Sequence, residues 1–198
     1  MEDEGIHIHK HLSNSSNVGN ERIYNKGIDR LRSPERIELL EVDRVVDLSL
    51  NKNITSVLDI GTGSALFAGA FHQRGIKVAG IDINIDMIAA AKKYVGDRQF
   101  FIAPAEQIPF ADNSFELTFF GLVFHEVNDY SKALKEAYRV SSYGTSILEW
   151  NYKEEDYGPP INHRLESEFI KKIAKETGYK NFKMIRLKKL VLYTLTRV

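Results

Sequence analysis

Short apolar runs alternate with amphipathic stretches along most of this 198-residue chain. The runs are bounded by turn or capping residues, as is typical of buried strands, and the amphipathic stretches have the three-to-four-residue period of helices. The pattern predicts strands at about 56–60, 77–81, 99–103, 115–120, 145–150, 182–188 and 190–197. It predicts helices between them at about 64–74, 85–94, 130–140 and 166–177. Such alternation favours an α/β domain, a parallel sheet with helices on both faces.

The first 33 residues differ from this pattern, because they are rich in Ser, Asn, His and Gly and have little apolar periodicity. We expect a flexible arm over residues 1–33 that orders on ligand binding, with the part around Tyr24 closing over the site. His7, His9 and His11 share one side of an extended chain, but no fourth ligand is recognisable beside them at a metal-ligand spacing. A solvated tail is therefore favoured over a metal site, and no metal is predicted.

Ser33-Pro34 marks the start of a helix, because serine caps a helix and proline suits its first turn. One continuous helix is expected, with a mainly apolar face formed by Ile37, Leu40, Arg44, Val45 and Leu48. Residues 34–198 are then a single domain, a length that can enclose a sizeable core.

The first predicted strand runs into a glycine turn, residues 57–63, with the sequence Val-Leu-Asp-Ile-Gly-Thr-Gly. Gly61 and Gly63 carry no Cβ, so the backbone can turn sharply and approach a ligand closely. Asp82 ends the next strand about twenty residues later, where a ribose-binding carboxylate belongs. These residues predict a site for a cofactor that contains adenosine.

The spacing also bears on which cofactor is bound. A dinucleotide fingerprint needs a third glycine at position 66, where this chain has Leu66. Asp59, two residues before Gly61, would repel a pyrophosphate but attract an ammonium or sulfonium group. The stretch resembles the first motif of the class I S-adenosylmethionine-dependent methyltransferases, which is an acidic residue followed by G-x-G-x-G.

The resemblance covers residues 34 to 198 and is strongest to the broad type-11 family, which includes ubiquinone and menaquinone methyltransferases. It rests on the order and spacing of the glycine turn, Asp82, residues 105–116, and residues 134–140 followed by Gly144. It implies a Rossmann-like, mostly parallel sheet of seven strands whose last strand is antiparallel. It also implies that S-adenosylmethionine is bound by Asp59, Gly61, Gly63, Asp82, Ile83, Ala105 and Glu106.

Two residues depart from the family pattern. The third glycine of the first motif is Ala65, which is still small enough for close packing. Pro104 replaces the usual Asp or Asn that binds the adenine amino group, and proline offers neither a side-chain acceptor nor a backbone donor. Adenine recognition then falls to the Ala105 amide, to Glu106, or to apolar contacts from Ile83 and Phe101.

His125 follows the fourth predicted strand, at the sheet edge that lines ligand crevices in α/β folds. It is the candidate catalytic residue, because an imidazole can take a proton from an acceptor hydroxyl or amine near neutral pH. The alternative is a histidine bonded to backbone that shapes the loop after strand four. Glu126, Glu149 and Trp150 are weaker candidates at similar strand ends. An apolar acceptor wall is proposed from aromatic residues: Tyr24, Phe124, Trp150, Tyr152 and Tyr157.

Composition narrows the function. Lys plus Arg equals Asp plus Glu at 27 each, which gives no reason to expect a nucleic-acid partner. The chain has no cysteine, so disulfides, thiolate metal sites and cysteine nucleophiles are excluded. No apolar run approaches membrane-spanning length, and the acidic N-terminus is unlike a secretory signal, so no membrane partner and a cytoplasmic location are predicted.

The sequence thus predicts methyl transfer from S-adenosylmethionine to a small-molecule acceptor, with positioning as the main source of catalysis. Two alternatives stay open: a non-catalytic S-adenosylmethionine-binding or regulatory protein, and a nicotinamide-dependent oxidoreductase, which Leu66 and Asp59 disfavour. Oligomeric state and the identity of the acceptor do not follow from the sequence.

Overall fold

The computed structural model describes residues 27–96 and 98–198. The predictions about Tyr24, the three N-terminal histidines and most of the arm lie outside these residues. Six helices are labelled in chain order: α1 Pro34–Leu39, α2 Val42–Ser49, α3 Leu66–Gln73, α4 Ile85–Val95, α5 Tyr130–Val140 and α6 Ser167–Thr177. Seven strands alternate with them: β1 Ser56–Ile60, β2 Lys77–Asp82, β3 Gln99–Ile102, β4 Phe115–Gly121, β5 Ser141–Trp150, β6 Asn181–Arg186 and β7 Leu190–Thr196.

The strands form one sheet in the order β3-β2-β1-β4-β5-β7-β6. β7 runs antiparallel to both β5 and β6, and all the pairs among β1 to β5 are parallel. The predicted seven-stranded, mostly parallel sheet with its last strand antiparallel is confirmed. The order reverses between β1 and β4, and such a reversal leaves a crevice at the carboxyl ends of the strands.

The core lies on both faces of the sheet, because neighbouring residues of each central strand point to opposite sides. Leu58, Phe120 and Ile147 pack on one side with α5 and α6, whereas Val57, Phe119 and Leu148 pack on the other with α2 and α3. α4 packs beside α3 and β3, where its Ile88 and Ala91 join Ala68 of α3 and Phe100 of β3 in one cluster. The central strands are therefore buried on both faces, which is why they appear in the sequence as continuous apolar runs.

The expectation of one continuous helix after Ser33 is wrong. The Ser33 hydroxyl accepts from the Arg36 amide and caps α1 as predicted, but the helix is interrupted at Glu41, whose φ is +47°. This left-handed residue redirects the chain, and its carboxylate accepts from the Lys188 amide at 2.9 Å. Ile37 and Leu48 are consequently exposed, and the buried side of α2 is formed by Val42, Val45, Val46 and Ser49.

β5 begins at Ser141, four residues earlier than predicted, because α5 passes into the strand without a turn. Gly144, one residue before the predicted start of the strand, pairs with Thr196 inside the sheet. A Cβ at this position would overlap the Leu195 carbonyl, so the strand itself requires a glycine here. Among the described residues, no helix combines the length and hydropathy needed to cross a membrane.

Candidate functional site

A cavity of about 590 Å³ opens at the carboxyl edge of the sheet, over the point where the strand order reverses. Its walls are the loops that follow the first five strands, together with part of the chain before β1. The loops after β1, β2 and β3 contribute residues 61–64, 82–84 and 103–106. The loops after β4 and β5 contribute 121–123, 126–128, Trp150, 157–160 and His163, and the N-terminal segment contributes Leu31, Arg36, Leu39 and Leu40.

The glycine turn after β1 forms one wall of this cavity. Gly61 and Gly63 have φ values of +67° and +52°, a region in which residues with a Cβ are strained. A Cβ on Gly61 would also overlap the Val123 side chain, so the loop after β4 packs directly on the turn. At Gly63 an added Cβ would meet only Leu31, at 3.6 Å. Gly61 thus closes the wall between the two loops, and Gly63 leaves room beside the cavity.

Asp82 lines the cavity beside this turn. Its Oδ2 accepts from the Gly63 amide and its Oδ1 from the Asn84 amide, each at 2.9 Å. Burial raises the pKa of this carboxyl, and the two backbone donors act in the opposite direction. Each oxygen can accept a further hydrogen bond, because an ionised carboxylate offers about four acceptor positions. The carboxylate therefore fixes the turn and still presents acceptors at the cavity wall.

Asp59 lies behind the wall and does not line the cavity. Its side chain is 2% exposed, and its Oδ2 accepts from the Thr62 hydroxyl at 2.7 Å and the Ala68 amide at 3.1 Å. Burial raises the pKa of Asp59 to about 7, against the effect of these two donors. Its predicted cofactor role stays a prediction, one that would act through the turn and through the charge of the carboxylate.

Most of the residues predicted to recognise the adenine also line the cavity. Ile83, half exposed, lines it together with Pro104, Ala105 and Glu106. Phe101 does not, since its ring packs edge-to-face on Phe110 outside the wall. The Glu106 carboxylate accepts from the amides of Asn128 and Asp129, at 2.8 and 3.1 Å. This carboxylate connects the loop after β3 to the loop after β4.

His125 does not reach the cavity wall, so direct contact with an acceptor is not what this geometry offers. It lies in the 3₁₀ turn Phe124–Glu126 and is 4% exposed. Its Nδ1 lies 2.8 Å from Oε2 of Glu149, and its backbone amide donates to Oε1 of the same residue at 3.0 Å. Because the loop winds inward after Phe124, the neighbouring Glu126 lines the cavity instead. The catalytic role of His125 stays a prediction.

The predicted aromatic wall is partly present. Trp150 and Tyr157 line the cavity with their ring centroids 5.8 Å apart, whereas Phe124 is buried in the core and Tyr152 lies outside. Glu126, a weaker candidate from the sequence, lines the cavity, and sequence reasoning missed further lining residues: Arg36, Leu39, Val123 and His163. None of them belongs to a local motif, and only folding brings them together.

A family model described as a methyltransferase domain, Methyltransf_11, matches residues 58–148, from the first strand through the fifth. The matched segment contains the glycine turn, Asp82, and the loops after β2, β3 and β4 described above. Residues 58–148 are thus a methyltransferase domain of this family.

Curated relatives match the methyltransferase domain over about half of the chain. The demethylmenaquinone methyltransferase of Thermus thermophilus is 36% identical over 111 residues, 53% of this chain and 50% of that protein. A malonyl-[acyl-carrier protein] O-methyltransferase of Hamiltonella defensa is 30% identical over 92 residues, 46% of this chain and 36% of the relative. The chain thus spans half or less of the length of these relatives.

The fold of the methyltransferase domain recurs in solved structures. A SAM-dependent methyltransferase from Aquifex aeolicus superposes with a TM-score of 0.76 at 24% identity, covering 86% of this chain and 97% of that one. This similarity shows the Rossmann-like fold.

One buried atom tests whether the site suits S-adenosylmethionine. The Ser64 hydroxyl lies in the turn on the cavity wall, is buried, and has no hydrogen-bond partner among the described residues. A buried hydroxyl without a partner is costly, so it suits a polar ligand group at this point. Together with the acceptors of Asp82 and the apolar Ile83, it forms a wall that fits a ligand with charged, hydroxyl and aromatic parts.

Proposed function

We propose that this protein transfers the methyl group of S-adenosylmethionine to a small-molecule acceptor. The observation that carries the proposal is the cavity at the strand-order reversal, with the glycine turn and Asp82 on one side and a mainly apolar wall on the other. S-Adenosylmethionine supplies an electrophilic methyl group on a sulfonium, and the protein must hold an acceptor atom in line with the methyl–sulfur bond.

The loops after β1, β2 and β3 would hold the cofactor. Asp82 offers hydrogen-bond acceptors for the ribose hydroxyls, and Gly61 and Gly63 leave space for the methionine moiety beside the Ser64 hydroxyl. Ile83 and Ala105 offer an apolar surface for the adenine, with Glu106 at its edge. Asp59 would contribute a negative charge behind the turn, favouring a cationic ligand.

The other wall would hold the acceptor. Leu122, Val123, Trp150 and Tyr157 give it an apolar and partly aromatic lining, with Arg36 and His163 as basic groups. The two curated relatives described above are named for demethylmenaquinone and for a malonyl group on acyl-carrier protein. We infer that the acceptor here is a small molecule with an apolar or aromatic body.

The segment before β1 would cover the site, with the arm over residues 1–33 ordering when the cofactor binds. Residues 28–32 already form a 3₁₀ helix against the glycine turn, where Nη1 of Arg32 donates to the Ser64 carbonyl at 2.9 Å. The Arg32 guanidinium also lies 4.5 Å from the Tyr94 ring centre, and Leu31 lines the cavity. A cover of this kind excludes water during methyl transfer.

Calorimetric titration with S-adenosylmethionine and with S-adenosylhomocysteine tests the cofactor part of the proposal. Binding of both ligands is expected, and binding of neither would overturn it. Methyl transfer is then assayed with labelled S-adenosylmethionine against a panel of quinols, phenols, amines and carboxylic acids. Transfer to a panel member supports the enzyme, whereas tight cofactor binding without transfer to any acceptor class would favour a non-catalytic binder.

A further inference from the structure

Two carboxylates and an imidazole form a row from the core to the cavity, at the carboxyl ends of β4 and β5. Glu149 is 1% exposed, and its oxygens accept from the backbone amides of His125 and Trp150, at 3.0 and 3.3 Å. A buried carboxylate is costly unless it is hydrogen-bonded and paired. The imidazole of His125, with Nδ1 2.8 Å from Oε2 of Glu149, supplies that pairing.

The row continues from His125 to the cavity wall. Because a carboxylate can only accept, Nδ1 of His125 donates to Glu149, and the ring is fixed with Nε2 on its other side. That Nε2 lies 3.7 Å from Oε1 of Glu126, whose side chain is 15% exposed and lines the cavity. Glu126 is thus a carboxylate at the wall, held next to a buried imidazole that is itself anchored from behind.

Glu126 is carried by a loop that lies opposite the glycine turn, where the methyl donor would be held. β4 neighbours β1 in the sheet, so the loop that carries Glu126 faces the glycine turn across the strand-order reversal. Val123, three residues before Glu126, packs directly against Gly61. An acceptor atom approaching a methyl group held by the glycine turn would therefore arrive next to the loop after β4.

We propose that Glu126 is the catalytic base of the methyl transfer, that the acceptor is a hydroxyl or amine carrying a proton, and that His125 and Glu149 are positioning residues. The inference rests on the proposed methyltransferase function. In the step, the acceptor oxygen or nitrogen forms a bond to the methyl carbon, and the carbon–sulfur bond breaks with its electron pair going to sulfur. The acceptor proton passes to the Glu126 carboxylate, and a neutral thioether leaves.

The charged groups around Glu126 define what a pH profile would report. His125 packs directly against it with Glu149 behind, the Glu106 carboxylate is bound to the amides of Asn128 and Asp129 on the same loop, and Arg36 and His163 line the same cavity. The positive charge of Arg36, and that of His125 when it is protonated, favour an ionised Glu126, whereas the Glu106 carboxylate opposes it.

The first test compares Glu126→Gln with Glu154→Gln, a control on an exposed carboxylate outside the cavity wall. S-Adenosylhomocysteine should bind both variants as it binds the wild type. With the hydroxyl or amine acceptor found in the panel, Glu126→Gln should lower kcat by about 10²–10⁴-fold with a small change in KM, and remove the low-pH limb of the rate profile. Glu126→Asp should restore part of the rate. A Glu126→Gln variant with wild-type kcat would overturn the proposal.

The second test needs no acceptor. Histidine ¹⁵N resonances are followed against pH in the wild type and in Glu126→Gln, in the presence of S-adenosylhomocysteine. Removing the neighbouring negative charge should lower the pH midpoint of the His125 resonances. An unchanged His125 midpoint would overturn the coupling. If the wild type fails to bind S-adenosylhomocysteine, the proposed function fails. The same titration is then recorded in the free protein, where it still decides whether Glu126 and His125 are coupled.

Discussion

The two sides of the cavity are built in different ways. The part that would hold the methyl donor, the donor half, comprises residues 61–64, 82–84 and 103–106. It presents backbone amides and mostly short side chains that are fixed by nearby backbone. The part that would hold the methyl acceptor, the acceptor half, presents longer side chains that come from distant parts of the chain. It comprises Arg36, Leu39, Leu40, residues 121–123 and 126–128, Trp150, residues 157–160 and His163.

The difference shows in which half a side chain can change without disturbing the backbone around it. A carboxylate such as Asp82, which accepts from the Gly63 and Asn84 amides, cannot change without disturbing the turn. Side chains such as Trp150 and Tyr157 meet the cavity without setting the path of the backbone loops opposite. A common cofactor site can therefore accompany different acceptors, and variants in the two halves should separate cofactor binding from acceptor use.

The largest effect is expected in the donor half, at Gly63. Gly63→Val should abolish S-adenosylhomocysteine binding, since a branched side chain would fill the space beside Leu31 and resist a φ of +52°. Gly75→Val is the matched control, because Gly75 also has a positive φ but nothing within 4 Å of an added Cβ. Calorimetry should show binding lost in the first variant alone; loss in both would attribute the effect to backbone strain.

Asp59→Asn should raise the stability of the fold by an amount that depends on pH. Burial raises the folded-state pKa of Asp59 to about 7, above its ordinary value of 3.8, so this group favours the native state at low pH and that contribution is lost as pH rises through 7. The neutral variant should therefore unfold like the wild type near pH 4, but be more stable by a few kcal/mol at pH 8. Denaturant unfolding at both pH values measures this, with exposed Asp86→Asn as control. A gain that does not change with pH would contradict the assignment.

Asp82→Ala should weaken S-adenosylhomocysteine binding by about 10–100-fold, because charge-assisted hydrogen bonds contribute roughly 1.5–3 kcal/mol each. The fold should also lose stability, by roughly 1–3 kcal/mol, since the amides of Gly63 and Asn84 lose their acceptor. Titration calorimetry and denaturant unfolding measure the two losses separately. Unchanged affinity in a folded variant would remove Asp82 from the cofactor site.

A change in the acceptor half should leave cofactor affinity alone. Tyr157→Leu removes a ring that lies between Trp150 and Lys189, and should raise KM for an aromatic acceptor about 10-fold. The affinity for S-adenosylhomocysteine should stay within about twofold, because the donor half is untouched. A parallel loss of cofactor affinity would show that the two halves are not separable.

The smallest effect is expected where the N-terminal segment meets the donor half. Arg32→Ala removes the hydrogen bond to the Ser64 carbonyl and the contact with Tyr94, and should weaken S-adenosylhomocysteine binding several-fold. The exposed Arg30→Ala is the control. Hydrogen exchange should show ligand-dependent protection around residues 20–32 that the Arg32 variant reduces. Equal protection with and without ligand, with full activity after deletion of residues 1–32, would argue against a cover.

The sequence predicted the donor half almost completely, because its features are local. An apolar run followed by Gly61 and Gly63 specifies a strand and a tight turn. Asp82 directly follows the next apolar run, so its place at the end of a strand is also a local feature. The alternation of runs and helices likewise gave the parallel sheet, and the capping residues Asn84 and Gly96 gave the limits of α4. Local sterics and periodicity decide all of these.

Of the acceptor half, the sequence offered Trp150 and Tyr157 as part of an aromatic wall and Glu126 only as a weaker candidate, and the tertiary structure decided the rest. Nothing near Glu126 in the sequence shows that it, and not His125, lines the cavity, since the direction of the chain after β4 depends on how Val123 packs against Gly61. The interruption of the helix at Glu41 could not be predicted from the local sequence either. The Glu41 carboxylate accepts from the Lys188 amide, 147 positions away, at a left-handed backbone position. Local interactions determine the elements and the turns, but long-range packing decides which side chains face the same cavity.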